Sequence, residues 1–171
     1  AGSVVIIRSE INGNSVSFEN RSQLPDYYAF LETLSMGGGI YSRGTLNVLD
    51  SYIHDNSVNN GLGGGIYLGA GMATIATTEY FRGDSHWGLT GNYAQNAMII
   101  TQNSATSSSD GQHYAAGGFG GGIYADSSVN LTLDSVTIAE NKASLNVTFN
   151  SGTYDISRGG GLYFGEADAY R

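Results

Sequence analysis

Three polar side chains occupy equivalent places in a repeated motif and could act together. Asp55, Gln102 and Glu140 are each the second residue after the isoleucine of an Ile-x-x-Asn pattern, so a fold that stacks the copies sets them in one outward column. Two carboxylates on one face are what a glycosidase uses, one protonated to assist the leaving group and one ionised as base or nucleophile. β-Structured enzymes that act on acidic or neutral polysaccharides also need Arg or Lys near that pair, and Lys142 is the only lysine. A solvated acidic stripe is therefore the favoured reading of the column, over a glycosidase pair or a cation site. His54, His86 and His113 share no spacing, which argues against a metal triad. A Gly-x-Ser-x-Gly elbow and the calcium-binding Gly-Gly-x-Gly-x-Asp repeat are both absent. No catalytic or metal-binding residue is assigned, no cofactor is expected, and the expectation is a protein that is not an enzyme.

The elements that would carry such a column are set by two repeats. Residues 37–41, 63–67 and 120–124 read Gly-Gly-Gly-Ile-Tyr and residues 159–163 read Gly-Gly-Gly-Leu-Tyr, with starts 26, 57 and 39 residues apart. No Lys-Ser or Lys-Thr follows these glycines, which removes a phosphate-cradling loop. The second repeat runs Ile11 to Val16, Ile53 to Val58, Ile100 to Ala105 and Ile138 to Ala143. Between the two lie short alternating stretches such as Leu46 to Leu49 and Leu131 to Leu133, with the period of a half-buried strand. Each unit thus holds about three short strands, too few to pair among themselves, and their backbone bonds must go to the units above and below.

That arrangement predicts an all-β, right-handed single-stranded parallel β-helix of about five to seven rungs, one domain spanning 1–171. Stacking at about 4.8 Å makes columns of equivalent residues. Ile40, Ile66, Ile123 and Leu162 form one inner ladder, Ile11, Ile53, Ile100 and Ile138 a second, and Val16, Val58, Ala105 and Ala143 a smaller third. Asn14, Asn56, Asn103 and Asn141 fall where a strand turns, as an amide ladder. Tyr41, Tyr67, Tyr124 and Tyr163 each follow an inward residue and form an outward aromatic column, stacked on itself or offered to a glycan or protein.

Gly-Gly-Gly-Ile-Tyr, a strand, and Ile-x-x-Asn-Ser-Val or Ala resemble the right-handed parallel β-helix repeats of bacterial extracellular and outer-surface proteins. These include polymorphic outer-membrane proteins and autotransporter-passenger adhesins. The likeness spans most of the chain, with Gly at the third glycine position for the usual Ala and Ile11, Ile53, Ile100 and Ile138 in place of Phe. The resemblance implies an extracellular or cell-surface location and a non-catalytic role.

Four stretches leave the pattern. Gln23 to Met36, opened by Pro25-Asp26, has Leu24, Tyr27, Tyr28, Leu31 and Leu34 at the spacing of a short amphipathic helix. Thr77 to Asn96 lies in the 57-residue gap, which is either two rungs or one rung with a long loop. It contains Arg82-Gly83-Asp84-Ser85, which resembles an integrin-binding tripeptide and is favoured as an ordinary charged loop tip. Ser107 to Gln112 reads as a polar loop, and Ser144 to Arg158, with Leu145, Val147 and Phe149 alternating, as an added hairpin.

A net charge of −8 repels phosphate backbones and anionic lipid, so nucleic acid and membrane surface are not expected partners, and no apolar run is long enough to cross a bilayer. The chain has no cysteine and starts at Ala1, as after leader removal or in a fragment. Residues 159–171 written ahead of residues 1–16 make one complete rung. Either copies of the chain join head to tail into a filament, or the sequence is cut from a longer solenoid such as an adhesin passenger. The assembly interface is then Val4, Ile6 and Ile11 at one end and Gly159, Leu162 and Tyr163 at the other. Surface glycans are a further candidate partner, bound or cleaved by a carbohydrate-active β-helix.

Overall fold

The computed structural model describes residues 2–17, 34–78, 97–109, 118–149, 152–155 and 158–165. Their secondary structure is entirely β, in nineteen strands, and among the described residues there is no helix. The strands are β1 (Ser3–Ile7), β2 (Glu10–Asn12), β3 (Ser15–Ser17), β4 (Ser35–Met36), β5 (Ile40–Ser42), β6 (Thr45–Leu49) and β7 (Tyr52–His54). They continue with β8 (Ser57–Asn59), β9 (Gly61–Leu62), β10 (Ile66–Leu68), β11 (Gly71–Ala76), β12 (Met98–Thr101) and β13 (Ser104–Ser109). The last are β14 (Ile123–Ala125), β15 (Val129–Asp134), β16 (Val136–Ala139), β17 (Lys142–Phe149), β18 (Gly152–Asp155) and β19 (Leu162–Phe164).

Four parallel stacks follow the repeat: β1-β6-β11-β15, β5-β10-β14-β19, β2-β7-β12-β16 and β3-β8-β13-β17. Each stack takes one strand from every passage of the chain and holds four parallel strands among the described residues, against the five to seven layers expected. The 57-residue gap accounts for part of the difference. Strand β10 pairs directly with β14, so no further layer lies between them, and the extra length falls in 79–96 and 110–117, outside the described residues. The fourth stack gains β18, which pairs antiparallel with β17 through Asn146↔Asp155 to Phe149↔Gly152 and makes the hairpin expected there. A short fifth column joins β4 to β9, then Leu62 to Phe119 and Phe119 to Arg158.

Register explains the core. Alternation along β6 turns Leu46 and Val48 inward, and the same two positions in β11 are Ala73 and Ile75. With Ile40, Ile53, Ile66, Ile100 and Ile123 these form one cluster enclosed by the first three stacks. Each buried side chain of this size removes about 1.5–3 kcal/mol of apolar exposure.

Three expectations change. Each unit feeds four stacks and not three, because Tyr52 to Val58 is broken into β7 and β8 at Asp55, whose φ is +53°. The helix expected over 23–36 ends instead in strand β4, with Ser35 N–H donating to the Asn60 carbonyl; its residues 23–33 lie outside those described. The loop expected over 107–112 begins as strand, since Ser107 to Ser109 pair with Leu145 to Val147. Arg82 to Ser85, His86 and His113 also lie outside the described residues.

Candidate functional site

The four asparagines sit at one corner and bond in one direction. The Asn14 amide nitrogen donates to Asn56 Oδ1 at 2.9 Å, that of Asn56 to Asn103 Oδ1 at 3.0 Å, and that of Asn103 to Asn141 Oδ1 at 2.9 Å. Backbone N–H groups of Asn14, Asn56 and Asn103 donate to the same three oxygens. The second amide hydrogens reach back to the carbonyls of Ile11, Ile53 and Ile100. Asn56 and Asn103 are buried, so these bonds satisfy groups that water cannot reach.

The residue before each asparagine is left-handed: Gly13 at +62°, Asp55 at +53°, Gln102 at +55° and Glu140 at +54°. That position makes the turn into the next strand, and short polar or flexible residues tolerate it. The candidate carboxylate column thus has a backbone explanation. Strand β12 separates β7 from β16, so Gln102 stands between Asp55 and Glu140, and the two carboxylates are two layers apart.

The triple glycines lie directly against the asparagine column: a Cβ on Gly39, Gly65 or Gly122 would come within 3.0 Å of the Asn56, Asn103 or Asn141 side-chain amide. Gly63 is left-handed at +69°; a Cβ on Gly64 would lie 2.4 Å from the Ser104 carbonyl and 2.5 Å from that of Gly121. On Gly65 it would meet the Gly122 carbonyl at 2.6 Å. The layers approach too closely here for any side chain.

Tyr41, Tyr67, Tyr124 and Tyr163 stack on one another at 5.2, 5.2 and 5.5 Å between ring centres, but the column is not outward throughout. Tyr41 is 50% exposed, whereas Tyr67 and Tyr124 are 8% and 1% exposed. They do face away from the isoleucine ladder, yet Leu62, Phe119 and Leu145 cover them as a second apolar cluster, joined by Leu34 and Met36. Burial pushes the Tyr67 phenol above its ordinary pKa, and Tyr124 donates its hydroxyl to the Gly165 carbonyl. The middle of this column is core.

The inner ladder has a similar end effect. Ile40, Ile66 and Ile123 are buried, but Leu162, in register with Ile123, is 38% exposed because β19 is outermost. At the other end Val4 is 53% exposed and Ile6 and Ile11 are partly buried against the core. Gly159 is left-handed at +62°, and Tyr163 is stacked between Phe119 and Tyr124.

One constellation escaped the sequence reading. His54 Nε2 lies 2.8 Å from Glu10 Oε1 and Nδ1 lies 2.7 Å from Asp55 Oδ2, with Tyr52 stacked on the ring at 3.9 Å. Both ring nitrogens face carboxylate oxygens, an arrangement that favours the imidazolium form, in which each nitrogen donates. Burial opposes that charge, but the bonds to Asp55 and Glu10 outweigh it and raise the His54 pKa. The His54 and Asn12 hydrogen bonds hold Glu10 below the ordinary carboxylate range. Aligning the copies on Ile11 and Ile53 would have placed Asn12 beside His54 and Glu10 one step away, a signal present in the register alone. Among the described residues no group of three or more His, Asp or Glu is arranged to hold a metal ion.

Comparison with known proteins adds no relative: no family model, no curated protein and no solved structure matches the chain.

Proposed function

We propose that this chain is a non-enzymatic, extracellular structural or adhesive protein, a right-handed parallel β-helix that joins copies of itself head to tail through open ends. The observation that carries the reading is that the apolar columns run out at both ends of the stacks. Val4 of β1, in register with buried Leu46, is 53% exposed at one end, and Leu162 and Phe164 of β19 are 38% and 54% exposed at the other. Edge strands of this kind offer both backbone groups and apolar surface to another strand.

The coil reading is supported by each passage of chain feeding the stacks in the same order. Right-handedness and a surface location rest on the resemblance to bacterial extracellular β-helix repeats. A non-catalytic role is supported by Asp55 and Glu140 serving left-handed turns two layers apart, with Asp55 already engaged by His54. Electron microscopy over a concentration series tests the assembly: fibres are expected, and Ile6→Glu or Ile6→Pro should stop elongation with the central layers still folded. Release of reducing ends from a polysaccharide, lost in Asp55→Asn or Glu140→Gln, would overturn the non-enzymatic reading in favour of a carbohydrate-active β-helix.

A further inference from the structure

Resting on that reading, the geometry points to a polar, register-locked contact between copies, in which the Asn141 end of one copy donates hydrogen bonds to the Asn14 end of the next. In the Oδ1 series of the asparagine column, backbone and amide donors point from the Asn14 layer toward the Asn141 layer, while the second amide hydrogens and the Ser57, Ser104 and Lys142 N–H groups donate the other way, to carbonyls. Among the described residues this leaves Asn14 Oδ1 without a donor, and the Asn141 backbone N–H and one of its amide hydrogens without an acceptor.

The glycine corner has the same direction. Gly37 and Gly38 N–H donate to Leu62 and Gly63 carbonyls, Gly63 to Gly65 donate to Phe119 to Gly121, and Gly120 to Gly122 donate to Arg158 to Gly160. The N–H groups of Gly159 to Gly161 and, in the same register, the carbonyls of Met36 to Gly38 are then the two open ends of that series. Within these two adjoining series, donors are left at the Asn141 end and acceptors at the Asn14 end. A second copy in the same orientation continues both; a copy turned over would set the donors of each series against donors.

The strand count also fits. Because each stack holds four parallel strands, the next copy's β1, β2, β3 and β5 would meet β15, β16, β17 and β19, each its own equivalent. Among the described residues the hairpin strand β18 leaves the positions that β3 would pair with uncovered. It covers residues 146–149 of β17, whereas β3 would occupy Lys142 to Ser144, the positions its equivalent Ser57–Asn59 shares through Ser104 to Thr106. Such a contact is heterologous and does not close.

Two end-blocked variants test it. Val4→Glu charges the acceptor end and Leu162→Glu the donor end, both at exposed positions whose circular dichroism should match the unmodified chain; Phe164→Glu replaces Leu162→Glu if that variant misfolds. Each variant alone should stay monomeric in sedimentation, and an equimolar mixture should give a one-to-one dimer and nothing larger. Adding Asn14→Ala to Leu162→Glu should weaken that dimer on the order of tenfold, as loss of the amide acceptor requires. Self-dimerisation of either single variant, or a dimer unaffected by Asn14→Ala, would overturn the polar contact while leaving end-on assembly standing. A monomeric unmodified chain at all concentrations would instead remove the assembly reading beneath it.

Discussion

His54 on β7 reaches across to Glu10 on β2, at 2.8 Å between Nε2 and Oε1, and ties the outermost strand of its stack to the next one in. Because the His54 pKa is raised, its contribution is complete below the ordinary 6.5 and is lost as pH rises through the raised value. Glu10 is lowered, so its contribution is complete above 4.5 and is lost as pH falls through the depressed value. Amide exchange at Ile11 and Asn12 should therefore be slowest between about pH 4.5 and 6.5 after correction for intrinsic rates. His54→Gln should flatten that profile, and an unchanged profile in the variant would contradict the clamp.

The asparagine column should be graded in cost from its middle to its edge. Asn103 is 0% exposed and its amide nitrogen contacts the Ile53 and Thr101 carbonyls and Asn141 Oδ1. Asn103→Ala strands several of these groups and should cost about 2–4 kcal/mol in denaturant unfolding. Asn14→Ala, at the exposed end, should cost the monomer about 1 kcal/mol or less.

Close approach at the glycine corner predicts an equally sharp contrast. Gly64→Ala would press a methyl on backbone atoms of Ser104 and Gly121 and should prevent folding or cost more than about 3 kcal/mol. Gly2→Ala meets nothing within 4 Å and should be neutral in the same thermal melt.

Tyr124 and Tyr41 occupy one column but differ in burial, 1% against 50% exposed. Tyr124→Ala should cost about 3–5 kcal/mol by opening a cavity between Leu62, Phe119 and Leu145. Tyr41→Ala should cost far less, and equal losses in denaturant titrations would show that the column is uniformly a surface feature.

The columns were legible because an in-register parallel stack writes itself into the sequence: Ile66 pairs with Ile40 and Ile123, and Tyr67 with Tyr41 and Tyr124, as the repeated Gly-Gly-Gly-Ile-Tyr demands. What lay beyond the motif was not. Alternation put Tyr67 on the outer face correctly, but nothing in its own strand shows that Leu62, Phe119 and Leu145, drawn from three other segments, close over it. The helical spacing of Leu24, Leu31 and Leu34 said nothing of Ser35 and Met36 being recruited by β9. Asp55, Gln102 and Glu140 looked like chemistry because their types were read before their backbone angles, which need the turn geometry to be seen. His54 was missed because its partners lie on another strand and on its own neighbour, and only the register of β2 on β7 brings Glu10 to it.

End-on assembly is tested most directly by fibre diffraction from the concentrated, unmodified chain. A copy adding four layers to each stack predicts a meridional spacing of about 4.8 Å and a subunit repeat of roughly 19 Å along the fibre. A chain that stays monomeric at every concentration, or fibres with no repeat at a multiple of the strand spacing, would contradict the account.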